Sequence, residues 1–481
     1  MAKIALLKST YSFSGNIRAT PPLGIMYLAS VLQSKNHQVI IIDMRLPNNT
    51  LKKVVDDLIH FKPDIIGISV ISNEAKIAHL SAIEFRKHLG DDVKIVLGGP
   101  YPTSVPNQVL ADSNIDAIIL NEGEVSFPQV VDAFVNNNFN LLNEIKGIGF
   151  KNGENYVFTP PSDYITDLDS LPFPAWNLID FDEYSKLPRF ARLKHNRYMV
   201  IFTSRSCPFK CIYCHNVFGK GFRKRSAENV YEEIESLVTE YGVKEIEIID
   251  DIFNLDHERV MAICDKIINN RLNIKLAFPN GLRFDCLNRD MIGKLKAAGT
   301  YFMAVPVETA TPRLQKMIRK NLDINKVNKA IDIVHEHGII TLGYFMLGFP
   351  TETKEEIKKT IEFACNSELN FASFLTVTPF QGTELWEKFV DDKIVDDNLS
   401  EYYDVYNRNE YNISEVSDEE LNKLKFMAYQ KFNRGFIKRI ILTNAYKTIA
   451  LKEVLIAFLN RIIELLYLKG KNILFFSKKD S

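Results

Sequence analysis

Short β-rich runs alternate with helical patterns twice along this chain, and that double alternation leaves few folds open to it. The first series runs from Lys3 to about Phe134, with strands expected at 4–7, 39–42, 65–69, 95–97 and 115–119. Strands alternating with helices in this way predict an α/β, doubly wound, Rossmann-like parallel sheet, which takes ligands at the carboxyl ends of its strands. The second series starts at Tyr198 and repeats six times, with strands expected near 199–203, 245–249, 274–278, 301–307, 339–346 and 372–377. Six parallel βα units make a partial (βα)6 TIM barrel, where reactive groups gather at the C-terminal strand ends. Helix ends are legible as well: Ser226 stands before the pattern that Gly242 closes, and Asp323 before the one that Gly338 closes.

Between the two series the rhythm breaks. Residues 141–196 are rich in Pro, Asp and aromatics, as in Leu168-Asp169-Ser170-Leu171-Pro172-Phe173-Pro174-Ala175-Trp176, which suits an extended connector pinned by aromatic anchors. The expected domains are therefore a ligand-binding sheet over 1–140, a linker over 141–196, a barrel over 197–390 and a helical region over 391–481.

Chemistry concentrates after the first barrel strand, in Cys207-Pro208-Phe209-Lys210-Cys211-Ile212-Tyr213-Cys214, a C-x3-C-x2-C run holding three of the six cysteines. Iron–sulfur clusters are held by cysteine thiolates, usually four, so a local set of three leaves one iron without a protein ligand. A zinc site wants four Cys or His ligands, and no second C-x2-C pair occurs; only His215 stands near enough in sequence to join. Cys264, Cys286 and Cys365 are scattered singly, and core packing is the expectation for each.

The cysteine run, with an aromatic residue just before its last member, resembles the radical S-adenosylmethionine (SAM) superfamily. The resemblance implies a [4Fe–4S] cluster on Cys207, Cys211 and Cys214, with SAM chelating the open iron and being cleaved to methionine and a 5′-deoxyadenosyl radical. It also implies SAM contacts at the other barrel strand ends. Asp250 and Asp251 stand after strand two, Arg283 after three, Glu308 after four, and Gly348 and Pro350 after five, with Tyr213 packing beside the adenine.

Three strand ends of the first series carry Ser69-Val70-Ile71-Ser72-Asn73, Gly98-Gly99-Pro100-Tyr101 and Asn121-Glu122-Gly123-Glu124, while Pro21-Pro22-Leu23-Gly24 opens the first helix. Together these loops resemble the cobalamin-binding domain fused to many radical SAM enzymes. The implied cobalamin contacts are Leu23, Gly24, Ser69, Ser72, Asn73, Gly98, Gly99, Tyr101, Glu122 and Gly123. The D-x-H-x-x-G loop whose histidine ligates cobalt in other cobalamin domains is missing, which leaves Asn73 or its neighbours facing the metal. Tyr101 stands where a histidine is common, and Asn121 where a glycine is common.

A net charge of −1 and 25% charged residues argue against a protein that coats nucleic acid. The chain enters a strand-like run at Lys3 without the longer apolar segment of a signal peptide, and an exposed cluster loop needs a reducing medium, so the cytoplasm is expected. Charge is sorted only near the end: residues 391–420 hold 11 acidic against 2 basic residues, and 422–481 hold 13 basic against 3 acidic. The basic part carries Leu451, Leu455, Phe458, Ile462 and Leu465 at helical spacing, a pattern that suits peripheral contact with an anionic membrane or docking on the barrel.

What the resemblance implies for activity is methyl transfer. One SAM methylates reduced cobalamin, a second is cleaved at the cluster, and the substrate radical so formed takes the methyl group. The expected partners are a small-molecule or lipid-like substrate and an electron donor such as flavodoxin or ferredoxin. The chain resembles the anaerobic magnesium-protoporphyrin ester cyclase group too, in the Phe218-to-Arg225 and Asp250-to-Asp256 stretches, so cyclisation or another radical outcome is the alternative. Methylthiolation of transfer RNA wants a second cysteine set ahead of Cys207, where the chain has none. A cobalamin sensor or carrier with a vestigial barrel would have no use for an intact cluster loop.

Overall fold

In the computed structural model, residues 1–13, 19–187, 197–215, 217–391, 412–435 and 439 are described. They fall into two compact units, the first made of Met1–Arg189, Tyr198–Leu237 and Pro379–Val405, the second of Phe190–Arg197, Val238–Thr378 and Tyr406–Ser481.

The first unit is built on a seven-stranded sheet of β1 (Lys3–Lys8), β2 (Gln38–Asp43), β3 (Ile65–Ser69), β4 (Lys94–Gly98), β5 (Ala117–Ile119), β6 (Ile148–Asn152) and β7 (Asn155–Phe158), in the order β2-β1-β3-β4-β5-β6-β7. Its first five members are parallel, and two of them are near-continuous apolar runs, Ala5 to Leu7 and Ile65 to Ile68, as a sheet covered on both faces requires. Two apolar clusters lie on it, one holding Ile4, Leu6, Ile25 and Phe127, the other Leu7, Val54, Ile68 and Phe85. The 2-1-3-4-5 order puts the point where the chain reverses between β1 and β3, and ligands of open α/β sheets bind at that crevice.

The sheet does not end at residue 140. β6 and β7 form an antiparallel hairpin that continues it, so the stretch expected to be linker begins as part of the domain. The signal lay in Asn152-Gly153: Gly153, at φ +64°, fills the first place of a two-residue loop, where a positive φ is needed. The rest of the connector is a strap. Ala175 N–H donates to Met26 O at 3.1 Å, Trp176 and Phe181 are buried, and the Tyr184 hydroxyl donates to Asp43 Oδ2 at 2.9 Å.

Three further strands belong to this unit: β8 (Tyr198–Ile201), wholly buried, and the short β9 (Ser204–Arg205) and β10 (Arg223–Lys224), which pair antiparallel. The second unit holds β11 (Glu245–Ile248), β12 (Lys275–Phe278), β13 (Thr300–Glu308), β14 (Ile340–Leu347) and β15 (Phe371–Thr376), each parallel to the next. Strands thus stand at all six positions expected of the barrel. Helix Ala227–Thr239 follows Ser226, whose Oγ accepts from Asn229 N–H, and helix Ile324–Glu336 follows Asp323, which accepts from Asn325 and Lys326.

Helix Asp418–Asn433 docks on the second unit through Leu421, Leu424, Ala428 and Phe432, and Tyr429 packs edge-on to Phe374 with ring centroids 5.3 Å apart. The basic amphipathic pattern around Leu451 to Leu465 lies outside the described residues. Among the described residues, no helix is long and apolar enough to cross a membrane.

Candidate cofactor sites

The cysteine loop is an excursion from a ribbon. β9 and β10 pair with Arg205 opposite Arg223 and Ser204 opposite Lys224, which closes the base of the segment between them. Ser206, just before Cys207, takes a left-handed φ of +71°, and its Oγ donates to Gly219 O at 2.6 Å. Cys207 and Cys211 are half-buried and Cys214 is exposed, while Cys214 N–H donates to Cys211 O at 3.2 Å. Ile212 is buried, and its carbonyl accepts from Leu385 N–H at 2.9 Å at the start of helix Glu384–Asp391. Phe380 lies 5.3 Å from the His215 ring, whose burial pulls its pKa down.

The base of the loop is held by the strand-end segment after β5. Arg205 donates to Glu122 Oε1 at 3.0 Å and to Glu124 Oε1 at 2.5 Å, and Arg223 donates to both Glu122 oxygens at 2.8 and 2.9 Å. Ile165 N–H adds a fourth bond to Glu122, at 3.0 Å. Burial opposes the charge on Arg205, but Glu124 and Glu122 more than offset it, so its pKa lies above the ordinary value. Glu122, expected among the cobalamin contacts, therefore has its acceptor sites taken up inside the protein.

Along the carboxyl edge of the first sheet, Ser69 ends β3, Ser72 and Asn73 lie in the one-turn helix Ser72–Glu74, and Gly98 ends β4. Gly99 has φ +100°, and a Cβ there would sit 2.8 Å from Val70 O, so only glycine fits. Gly98 and Gly24 have no such neighbour, and Gly24 is exposed. Leu23 is buried, and Gly123 lies under Leu28. Tyr101 is buried in the apolar cluster and hydrogen-bonds His79 Nε2 at 3.1 Å, while His79 Nδ1 meets Asp112 at 2.6 Å. Two buried polar atoms on this edge have no hydrogen-bond partner, Ser9 Oγ and Asn73 Oδ1, and Tyr11, Phe13, Ile71 and Val125 are exposed around it. Polar atoms left over beside exposed apolar surface fit a large ligand that offers both apolar surface and hydrogen-bonding groups.

In the second unit, Asp250 is buried with Arg259 Nη2 4.0 Å away, and Asp251 is exposed. The Arg283 fork is engaged by Asp285 at 3.0 Å and by the carbonyls of Lys320 and Asn321. Glu308 follows a break in register between β13 and β14 at Pro306/Glu308, and it has φ +65°, a conformation side chains rarely adopt. Its Oε1 accepts from Lys320 Nζ at 2.8 Å, and both residues are buried. Gly348, at φ +98°, and Phe349 donate their N–H groups to Glu352 Oε2 at 2.7 and 3.0 Å, which fixes the loop that carries Pro350. Burial pushes the Glu352 carboxyl up to about 7. Thr351 N–H donates to Ile413 O and Glu415 N–H to Glu352 O, so the segment leading into helix Asp418–Asn433 straps this loop.

Sequence reasoning passed over Arg205, Lys320 and Glu352, none of which belongs to a local pattern, and met Arg223 only as part of the Phe218-to-Arg225 stretch, without a role. It also expected all three scattered cysteines in the core. Cys264 is buried there and its thiol is pushed up to about 12, but Cys365 is half-buried and Cys286 is exposed. Cys286 closes the short turn Phe284–Cys286, which sends Phe284 inward and leaves the cysteine outside.

Comparison with known proteins separates two matched regions: the B12 binding domain over residues 18–131 and the radical SAM superfamily over 201–364. An uncharacterized methyltransferase of Pyrococcus horikoshii is 33% identical over 76% of this chain and 78% of its own length. The chain belongs to the radical SAM superfamily, in its B12-binding branch. Cytidylyl-2-hydroxyethylphosphonate methyltransferase of Streptomyces wedmorensis is 26% identical over 88% of this chain and 87% of its own. The anaerobic magnesium-protoporphyrin IX monomethyl ester cyclase of Rubrivivax gelatinosus is 26% identical over 77% and 66%. Among solved structures, the cobalamin-dependent SAM radical enzyme OxsB with aqua-cobalamin and SAM bound superposes with a TM-score of 0.66 at 19% identity. That match covers 82% of this chain but only 56%, a little over half, of OxsB. The radical SAM methyltransferase TsrM from Kitasatospora setae gives 0.67 at 16% identity, over 82% of this chain and 76% of its own. At these identities the two structures establish the shared fold.

A radical SAM domain implies a [4Fe–4S] cluster and SAM, and a B12-binding domain implies cobalamin. The donor chemistry fits the cluster: three thiols on one short loop, with one position left open. Among the described residues, no three His, Cys, Asp or Glu side chains are drawn together as they would be around a single ion. A cluster asks for something wider, because each thiolate holds a different iron.

Proposed function

We propose that this enzyme transfers a methyl group to an unactivated carbon, or phosphorus, of a small-molecule or lipid-like substrate. The observation that carries the reading is the makeup of the first unit, in which the sheet with its apolar, partly unpartnered edge and the three-cysteine loop belong to one compact body. Cys207, Cys211 and Cys214 would hold the cluster, and the edge from Ser9 to Asn73 and Gly99 would take cobalamin. When bound, the cluster supplies the electron that cleaves SAM, and cobalamin carries the methyl group.

The chain's own residues do positional work. Gly99 lets the backbone approach the ligand, and Tyr213 lies on the cysteine loop, where the adenine would pack. In the second unit, Asp250, Arg283, Glu308 and the Gly348–Pro350 loop are the proposed SAM contacts. Asp250 and Glu308 are buried beside Arg259 and Lys320, which orients each carboxylate. The electron donor would be a flavodoxin or ferredoxin in a reducing cytoplasm. Contact with the membrane would be peripheral, through the basic region over 422–481.

The test is anaerobic reconstitution with iron and cobalt measured per chain, followed by SAM cleavage in the parent and in Cys211→Ala. Iron and cobalt in the parent and no cleavage in the variant are expected. Cleavage that survives in Cys211→Ala would end the radical reading, and iron without cobalt would leave adenosyl-radical chemistry alone. Substrate turnover without a methylated product would favour the cyclase-like alternative.

A further inference from the structure

The base of the cysteine loop is built from two like charges. Arg205 and Arg223 are register partners across β9 and β10, and like charges directly opposite each other destabilise a ribbon. Their side chains are only 5% and 10% exposed, so water does little to screen them. The ribbon closes because Glu122 bonds both guanidinium groups and Glu124 takes the other side of Arg205. Two carboxylates balance two guanidiniums. Aromatic rings complete the enclosure, with Arg205 over Tyr27 at 5.2 Å and over Phe218 at 5.6 Å, and Arg223 over Tyr164 at 5.0 Å.

A buried ion cluster of this kind is a poor source of stability, because desolvating four charges offsets most of their attraction. Its use is to fix one arrangement against others. The arrangement fixed here is the start of the cysteine loop. Arg205 stands two residues before Cys207, and the residue between them, Ser206, is buried, left-handed and tied to Gly219 O.

We propose that Glu122 and Glu124 are positioning residues for the iron–sulfur cluster, clamping the base of the cysteine loop and setting the charge beside Cys207. This rests on the reading that the cluster sits on Cys207, Cys211 and Cys214. Glu122 fixes the geometry, since it joins both strands of the ribbon. Glu124 sets the field, since it cancels the Arg205 charge, and a positive charge left uncancelled there favours the reduced, more negative cluster.

The experiment compares the full-length parent with Glu124→Gln and Glu122→Gln after anaerobic reconstitution, reading iron per chain, the electron paramagnetic resonance of the reduced cluster, and its midpoint potential. Glu124→Gln is expected to load iron like the parent, but with a more positive potential and a changed resonance. Glu122→Gln is expected to lose at least half of the iron while its cobalamin absorbance is retained. Parent-like potential and resonance in Glu124→Gln, with or without a lower melting temperature, would overturn the proposal and leave the network a packing feature. Should Glu124→Gln fail to fold, Arg205→Gln takes the positive charge away from Cys207 and leaves the pair of Glu122 with Arg223 in place. A lower potential then supports the proposal, and an unmoved one overturns it. An iron-free parent removes the functional reading and this inference with it, whereas an iron-loaded parent beside unmoved variants removes the clamp alone.

Discussion

Each unit places a buried glutamate in the loop after a strand, and the two are stabilised in opposite ways. Glu122, after β5, accepts four hydrogen bonds, three of them from guanidinium groups. Glu352, after β14, accepts two backbone N–H groups on one oxygen, while its other oxygen, Oε1, is buried with no hydrogen-bond partner. Ion pairing suits a side chain that holds distant segments together. Neutral donors hold a local loop and leave burial free to raise the carboxyl to about 7. The first unit is therefore locked by long-range charge, and this loop of the second by local backbone geometry.

The sharpest way to break that contrast is to remove the ionic partner. Glu122→Ala takes the carboxylate from Arg223 and leaves Arg205 with Glu124 alone, in a buried setting, and a loss on the order of 3–5 kcal/mol is expected from urea unfolding of the first unit. A loss under about 1 kcal/mol would mean that the pairs are solvated and the lock is illusory.

Next in size is the titration of Glu352. Below the ordinary glutamate range the carboxyl is protonated in both folded and unfolded chains. As pH rises, the unfolded chain ionises first and the folded chain resists until about 7, so stability is lost across that window, by about 3 kcal/mol at most. Glu352→Gln should flatten this part of the profile between pH 4.5 and about 7. Parallel profiles for parent and variant would show that Glu352 is not held neutral.

Gly99→Ala tests the backbone side of the first unit. A side chain at φ +100° facing Val70 O should cost on the order of 2 kcal/mol and weaken cobalamin binding, read from its absorbance in a titration. Wild-type affinity would mean that this loop does not approach the ligand. The smallest effect belongs to Tyr429→Phe, which removes a hydroxyl that donates to Phe374 O and accepts from Phe374 N–H at 3.1 and 3.0 Å. About 1 kcal/mol should be lost from the second unit, without change at the cysteine loop.

The sequence by itself determined whatever depends on neighbours along the chain. Strand–helix alternation, the caps at Ser226 and Asp323, and the spacing of Cys207, Cys211 and Cys214 are local, because periodicity, capping and thiolate chemistry act over a few residues. The β6–β7 hairpin was legible too, in Asn152-Gly153, although the prolines downstream drew attention to a linker instead. Only the tertiary structure decided what Glu122 does. Its arginine partners lie 83 and 101 residues away, and a carboxylate at a strand end looks the same in sequence whether it meets a ligand or a guanidinium. The same holds for Glu308, which left-handed backbone and a broken register aim at Lys320. Charge pairs act through space, and the chain records each partner without recording that they meet.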